Sequence, residues 1–356
     1  MPNVTLFLGA GASRAFGYPT TADFLKNLRR LDHGHKTVLD GLLRSPQIQD
    51  IEHVLQILDI LITADSNPYL HANFSKYQPK MPIGAGHQPW AKYITNCRGL
   101  KDRIMTELHK QYEFDPDGYE KLFPVYQELL NTVIDLNDDK KLDIFTTNYD
   151  SVIEEVSLRL RLRLVDGFSY DAKRKGRFWE PALFEQPTPF TLRLFKLHGS
   201  LNWRETHHGK IESMRGENRY SGTRRYRKNI LIYPTQKGLE GEEPFATLFK
   251  YFRNSSELSD GFLIIGFSFR DPLINDIFLN NLRINVKHKL IVFSPTATEN
   301  VINNLLVKAR GKVERDRLER QVQCLNAKFG EHEALNLIEN TLKGKRKKTK
   351  YESQKS

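Results

Sequence analysis

The stretch VTLFLGAGAS, Val4–Ser13, decides the fold: a strand-like run of four apolar residues and Thr5, then a glycine turn. A nearly all-apolar pentad suits a strand buried on both faces, and Gly9-Ala10-Gly11 suits a tight turn leading from that strand into a helix. Working outward, the same form recurs. LDIFT (Leu142–Thr146) runs into Thr147-Asn148-Tyr149-Asp150, and TLRLFKL (Thr191–Leu197) runs into His198-Gly199-Ser200. GFLIIGF (Gly261–Phe267) runs into Ser268-Phe269-Arg270-Asp271-Pro272, while NILIYP (Asn229–Pro234) and Leu290–Phe293 add two further strand signals.

Helical periodicity fills the intervals. Thr20 or Thr21 is placed to cap a helix carrying Phe24, Leu25, Leu28 and Leu31. Ile51, Val54, Leu55, Leu58 and Leu61 share one helical face, and helices are predicted over Leu100–Tyr112, Tyr119–Asn131 and Ser151–Leu162. Residues 67–90, rich in Pro, Gly and His, read as loop. Thr296–Glu299 has the capping-box pattern of a helix running to Lys308, and Val313–Phe329 and His332–Leu342 are predicted as two more. Short apolar strands alternating with helices predict an α/β protein with a doubly wound parallel sheet. Such sheets bind ligands beyond the carboxyl ends of their strands, where Ser13, Asn148, Asp150, His198, Ser268 and Asp271 all fall.

With 356 residues, 39% of them hydrophobic and 27% charged, the chain is long enough for one elaborate domain or two. It has no apolar run approaching a membrane span and no signal-peptide pattern at Met1. Its two cysteines, Cys97 and Cys324, are too few for a disulfide framework or a zinc ribbon, so a cytoplasmic, reducing setting is expected. The net charge of +11 is concentrated. Lys343–Ser356 holds seven Lys/Arg against one Glu, and Phe168–Lys228 holds fourteen against six Asp/Glu, leaving the remainder slightly acidic. The tail is expected to be unstructured and the middle segment to be a basic, solvated insertion. KRKGR (Lys173–Arg177) and RRYRK (Arg224–Lys228), with Tyr220 and Tyr226 nearby, leave nucleic-acid contact open.

The strand-end residues suit nucleotide chemistry. Glycines let backbone amides approach a diphosphate, and a helix N-terminus would add positive potential. Asn148 offers a donor and an acceptor to a ribose hydroxyl or water, and His198 titrates in the range of a general base. Each group also has a structural alternative: a ligand-free turn, a cap for the helix at Ser151–Leu162, and a buried hydrogen-bonded histidine. His207 and His208 lie in a polar loop without partnered ligands, so no metal is expected there.

In order along the chain, GAGAS (Gly9–Ser13) with Gly17 and Pro19, TTNYD (Thr146–Asp150), KLHGS (Lys196–Ser200) and GFSFRDP (Gly266–Pro272) resemble the motifs of sirtuin-like domains. DIEHVL (Asp50–Leu55) is similar to a segment of bacterial members. The resemblance spans about residues 4–295 and is nearest to the NAD-degrading effectors of prokaryotic anti-phage defence. It implies a Rossmann-like sirtuin fold over residues 1–295, with a helical insertion at about 30–135 and the basic insertion at about 168–228. C-terminal helices would occupy 296–342, and the basic tail 343–356. It also implies NAD+ as substrate, with Gly9, Ala10, Gly11 and Ser13 at the diphosphate and nearby ribose. Asn148 would orient the nicotinamide ribose or the attacking water, Asp150 would lie near the carboxamide, and His198 would be the base. Gly266 and Ser268 would line the adenosine half, with Asp271 as a neighbour.

Two departures tell against protein deacylation: the four-cysteine zinc ribbon is missing, and YPTTADF (Tyr18–Phe24) replaces the Pro-Asp-Phe-Arg cofactor loop. The expected activity is therefore NAD+ glycohydrolysis to ADP-ribose and nicotinamide, in defence by NAD depletion. Its rivals are an NAD- or ADP-ribose-binding regulatory or assembly subunit, and a nucleic-acid-binding protein. Because an ungated NAD hydrolase would harm its host, a homo-oligomer is expected, and the resemblance adds a HerA-type hexameric DNA translocase as a candidate partner.

Overall fold

The structure is a computed structural model, and it describes residues 3–14, 17–20, 23–25, 28, 31–46, 48, 50–69, 90–112, 116–185, 191–214, 226–231, 241–330 and 332–342. Most of the loop expected at 67–90, the basic tail, Tyr220 and the side chains of RRYRK lie outside the described residues.

The strands are β1 Val4–Leu8, β2 Leu142–Thr146, β3 Arg163–Val165, β4 Phe168–Asp171, β5 Gly176–Trp179, β6 Thr191–Lys196, β7 Gly199–Thr206, β8 Ile211–Ser213, β9 Tyr226–Leu231, β10 Gly261–Ile265, β11 Lys289–Ser294 and β12 Val322–Asn326. Seven of them form one sheet in the order β12-β11-β10-β1-β2-β6-β3, and every pairing in it is parallel. β1 is buried at all five positions because helices cover both faces. Leu6 and Leu8 face the layer that holds Leu130 and Val133 of the helix Pro116–Leu136 and Val152 and Val156 of the helix Val152–Arg159. Phe7, one residue out of phase, faces Phe249 and Phe252 of the helix Phe245–Leu258 and Phe278 of the helix Pro272–Ile284.

Register aligns Phe7 with Phe145 and Phe145 with Phe195, so an aromatic row crosses three strands, and the Phe145 and Phe195 rings stack at 4.6 Å. After β1 the chain builds towards β2, β6 and β3, then returns to the other side of β1 to lay down β10 and β11. That reversal makes the carboxyl ends of β1 and β10 the topological switch point of the sheet.

Three helices between β1 and β2 share a core of their own. Helices His33–Leu43, Ile51–Ser66 and Trp90–Gln111 bury Val54, Leu58, Ile94 and Ile104 together with Phe24, and Tyr149 and Leu201 reach in from the strand ends. Thr20 does cap its segment, its hydroxyl accepting the Asp23 amide at 3.2 Å.

Three expectations are corrected. The basic segment is no loose insertion: β6 joins the parallel sheet, and its other described strands form a second sheet, antiparallel, in the order β4-β5-β8-β7-β9, with Phe168, Trp203 and Ile211 buried beneath it. Several of its cations are spent inside the fold, Arg177 on Asp166 at 2.7 Å and Arg193 on Asp143 at 2.6 Å. Val313–Phe329 is not one helix, because helix Lys312–Glu319 gives way to β12, whose Val322 and Leu325 pair beside Leu290 and Phe293 of β11. Sheet extension overrides local helical periodicity there. Finally, Thr296 makes no side-chain cap bond, and the run to Lys308 breaks into a short α-helix, a π turn and a 3-10 turn.

Candidate functional site

Leu8, Thr146 and Lys196 are register partners, so the turns after β1, β2 and β6 leave the sheet side by side. Gly9 N–H donates to Ile265 O and Gly11 N–H donates to Gly266 O, each at 2.9 Å. A Cβ on Gly9 would lie 2.6 Å from Gly266 O, and one on Gly266, whose φ is +67°, would lie 2.3 Å from Ala12 N. The glycines thus let two strand-end turns interlock. The amides of Gly9 and Gly11 are committed to that contact, and helix Ala10–Ser13 spans only four residues, so it adds little macrodipole. A diphosphate at this turn would need other donors.

Asn148 is held from below. Its Nδ2 donates to Gly9 O and to Ser13 Oγ, both at 3.0 Å, which ties TTNYD to GAGAS and leaves Oδ1 as that side chain's acceptor. It is not the helix cap: Asp150 Oδ1 accepts the Val152 amide at 3.0 Å at the start of that helix. Asp150 Oδ2 is buried and has no hydrogen-bond partner among the described residues. Burial raises the Asp150 carboxyl above the usual range, against the Lys196 ammonium and the Ser13 hydroxyl. A void of about 10 Å³, with Ser13, Thr146, Asn148, Asp150 and Lys196 among its walls, is about large enough for one water.

Lys196 is a residue that sequence reasoning passed over. Only 1% exposed, it donates to Asp150 O, to Glu154 Oε1 at 3.0 Å and to Ser200 Oγ at 2.9 Å. Ser200 Oγ in turn donates to Tyr149 O at 3.2 Å, so TTNYD and KLHGS are one bonded unit. The signal was present, since the alternation of TLRLFKL puts Lys196 in phase with buried Leu192 and Leu194.

His198 sits where β6 passes into β7, and Gly199, at φ +81°, makes the bend. Its Nε2 lies 2.9 Å from Asp271 Oδ2, while its Nδ1 is buried without a partner among the described residues. The other oxygen of Asp271 accepts the amides of Leu273 and Ile274 as the N-cap of helix Pro272–Ile284. Asp271 is therefore tied to the histidine and to a helix end. Burial alone lowers the His198 pKa, but the hydrogen bond and charge of Asp271, with the charge of Glu52, outweigh it and raise the pKa overall.

Glu52 is the second residue missed. It lies in helix Ile51–Ser66, and the Tyr149 hydroxyl donates to its Oε1 at 2.8 Å. Burial pushes its carboxyl up to about 7, against the charge of His198. Its signal was a glutamate three residues before Leu55 on the apolar side of that helix. Ser268 is half-buried, its carbonyl accepting Asn304 Nδ2 at 2.8 Å, and His207 and His208 are exposed. Among the described residues no group of three or more His, Cys, Asp or Glu could hold a metal ion, and no helix is long and apolar enough to cross a membrane.

Residues 143–313 match the family described as SIR2-like domain, a span that includes Asn148, Asp150, His198, Gly266, Ser268 and Asp271 but neither Gly9–Ser13 nor Glu52. Among solved structures, the chain is similar to a Sir2 homolog–NAD complex at 13% identity, covering 96% of this chain and 89% of that one, with a TM-score of 0.45. It is similar to a mutant Sir2 homologue in complex with 2′-O-acetyl ADP ribose at 13% identity, covering 97% and 94%, with a TM-score of 0.46. A structure described as the basis for the mechanism and regulation of Sir2 enzymes is 15% identical over 96% and 93%, with a TM-score of 0.41. No curated protein matches the chain in sequence.

Proposed function

We propose that the chain, whose residues 143–313 match the SIR2-like domain family, is an NAD+ glycohydrolase that cleaves the bond between nicotinamide and ribose. The observation that carries this is a pair of buried polar atoms without partners, His198 Nδ1 and Asp150 Oδ2, on the turns after adjacent strands β6 and β2. Burying such atoms costs about 1–3 kcal/mol each unless a ligand satisfies them.

The groups suit the reaction. Cleavage breaks the C1′–N bond and releases neutral nicotinamide, so no general acid is required, and the transition state has oxocarbenium character. With Nε2–H donated to Asp271, His198 presents Nδ1 as the acceptor for the proton of the water whose oxygen bonds to C1′. Asn148 Oδ1 would orient that water or a ribose hydroxyl, and Asp150 Oδ2 would accept an N–H of the carboxamide. Deacylation fits less well, since Cys97 is buried in the helical insertion and Cys324 lies on β12. We place the activity in anti-phage defence by NAD+ depletion, gated by self-assembly or by a HerA-type translocase. The support for this setting is the order of the four motifs.

The test is incubation of purified protein with NAD+ and chromatography of the products. We expect nicotinamide and ADP-ribose from the wild type, and a loss of about 10²–10⁴-fold in both His198→Ala and Asn148→Ala. Turnover in either folded variant equal to wild type would refute the assignment.

A further inference from the structure

Glu52 has no task in the reaction just described, yet it is buried beside its centre. It arrives from the helical insertion, outside residues 143–313, and its carboxyl is gripped by Tyr149, the residue that follows Asn148. The Tyr149 ring lies 6.5 Å from the His198 ring, centroid to centroid. The Tyr149 carbonyl is fastened to the next turn by Ser200 Oγ at 3.2 Å and by the Leu201 amide at 3.4 Å. A carboxyl placed there acts on whatever charge the imidazole carries.

We infer that Glu52 is a positioning residue of this site: held by the Tyr149 hydroxyl, its carboxyl is the second acidic partner of the His198 imidazole, beside Asp271. The inference rests on the proposal that His198 is the base. The charged and titratable groups acting on Glu52 are Asp50 at the start of its own helix, Tyr149 after β2, His198 after β6 and Asp271 before helix Pro272–Ile284. Tyr112, at the end of helix Trp90–Gln111, also feels its charge. Asp50 is partly occupied by His53, whose Nδ1 lies 2.8 Å from Asp50 Oδ1.

The sign of the coupling is determined. An ionised Glu52 favours the imidazolium, and an imidazolium favours ionised Glu52, so the two titrate as a linked pair. Protonated Glu52 leaves His198 readier to be neutral and hence to accept a proton. The insertion would in this way tune the base, not merely cover it. A purely structural Glu52 would stabilise Tyr149 and leave the imidazole's titration unchanged.

The experiment follows the His198 ring by NMR in the full chain carrying isotope-labelled histidine, from pH 5 to 9, with the resonance assigned by comparison with His198→Gln. In wild type the signal is expected to move in two steps, one of them near pH 7, where Glu52 titrates. In Glu52→Gln, which keeps an acceptor for the Tyr149 hydroxyl, a single step is expected, lower by roughly one pH unit. That leaves about tenfold more neutral imidazole on the acid side. An unchanged His198 midpoint in Glu52→Gln would overturn the inference. Should that variant not fold, a single-step curve in wild type overturns it equally. Neither readout needs turnover, so absence of NAD+ cleavage would count against the function while the NMR result still decides the role of Glu52.

Discussion

Replacing Lys196 by methionine removes one ammonium and strands three acceptors. The side chain is 1% exposed, and its amine holds Asp150 O, Ser200 Oγ and Glu154 Oε1. Glu154 is itself 4% exposed, so in Lys196→Met its carboxylate is left buried without its cation. Breaking one side of a buried pair costs about 3–5 kcal/mol, because the surviving charge cannot be rehydrated. Methionine fills nearly the same volume, so little of the loss comes from packing. The neutralised double variant Lys196→Met/Glu154→Gln should recover part of the loss, by removing the buried charge that Lys196 had neutralised. Urea unfolding of wild type, both single variants and the double variant, with midpoints converted at a common slope, closes the cycle. A single-variant loss below about 1 kcal/mol, or a double variant no more stable than Lys196→Met, would show that this lysine is not the buried anchor described. The same substitution loosens the support under Asp150 and His198, so nicotinamide release should fall with it.

Gly266→Ala puts a Cβ 2.3 Å from the Ala12 amide nitrogen in a backbone at φ +67°. It should lower the unfolding free energy by at least about 2 kcal/mol, from left-handed strain and steric displacement together. The Glu52 carboxyl, raised by burial from 4.5 to about 7, favours the protonated state in the fold. Its contribution is full below pH 4.5 and is lost as pH rises through about 7. At about 1.4 kcal/mol per pH unit that amounts to about 3 kcal/mol, so Glu52→Gln should gain on wild type by roughly that much between pH 5 and 8 in parallel unfolding titrations. Asp271→Asn keeps an oxygen for the Leu273 and Ile274 amides but can donate towards His198 Nε2, favouring the wrong tautomer. Nicotinamide release should drop by on the order of 10²–10⁴-fold with little change in the melting curve.

Much of this architecture was legible in the chain. Val4–Leu8, Leu142–Thr146 and Gly261–Ile265 announce themselves because a strand covered on both faces tolerates few polar positions, and those runs are nearly all apolar. Asn148, Asp150, His198 and Asp271 stood out because polar residues directly after such strands must emerge at the sheet's carboxyl edge. The sequence did not reveal β12: its five residues take their conformation from the exposed edge of β11, a partner that local periodicity does not contain. Nor did it show that Gly9, Gly11 and Gly266 are needed by one another. That requirement exists only once two turns more than 250 positions apart are pressed together.

Local chemistry along the chain thus determined which segments become strands and which polar groups end them. Only the tertiary structure decided the partners: Asp271 for His198, Lys196 for Glu154, and Glu52 for Tyr149. Strand character follows from near neighbours through steric fit and burial, whereas the proton affinity of a buried side chain depends on charges brought to it from distant positions. That information is absent from any window of sequence.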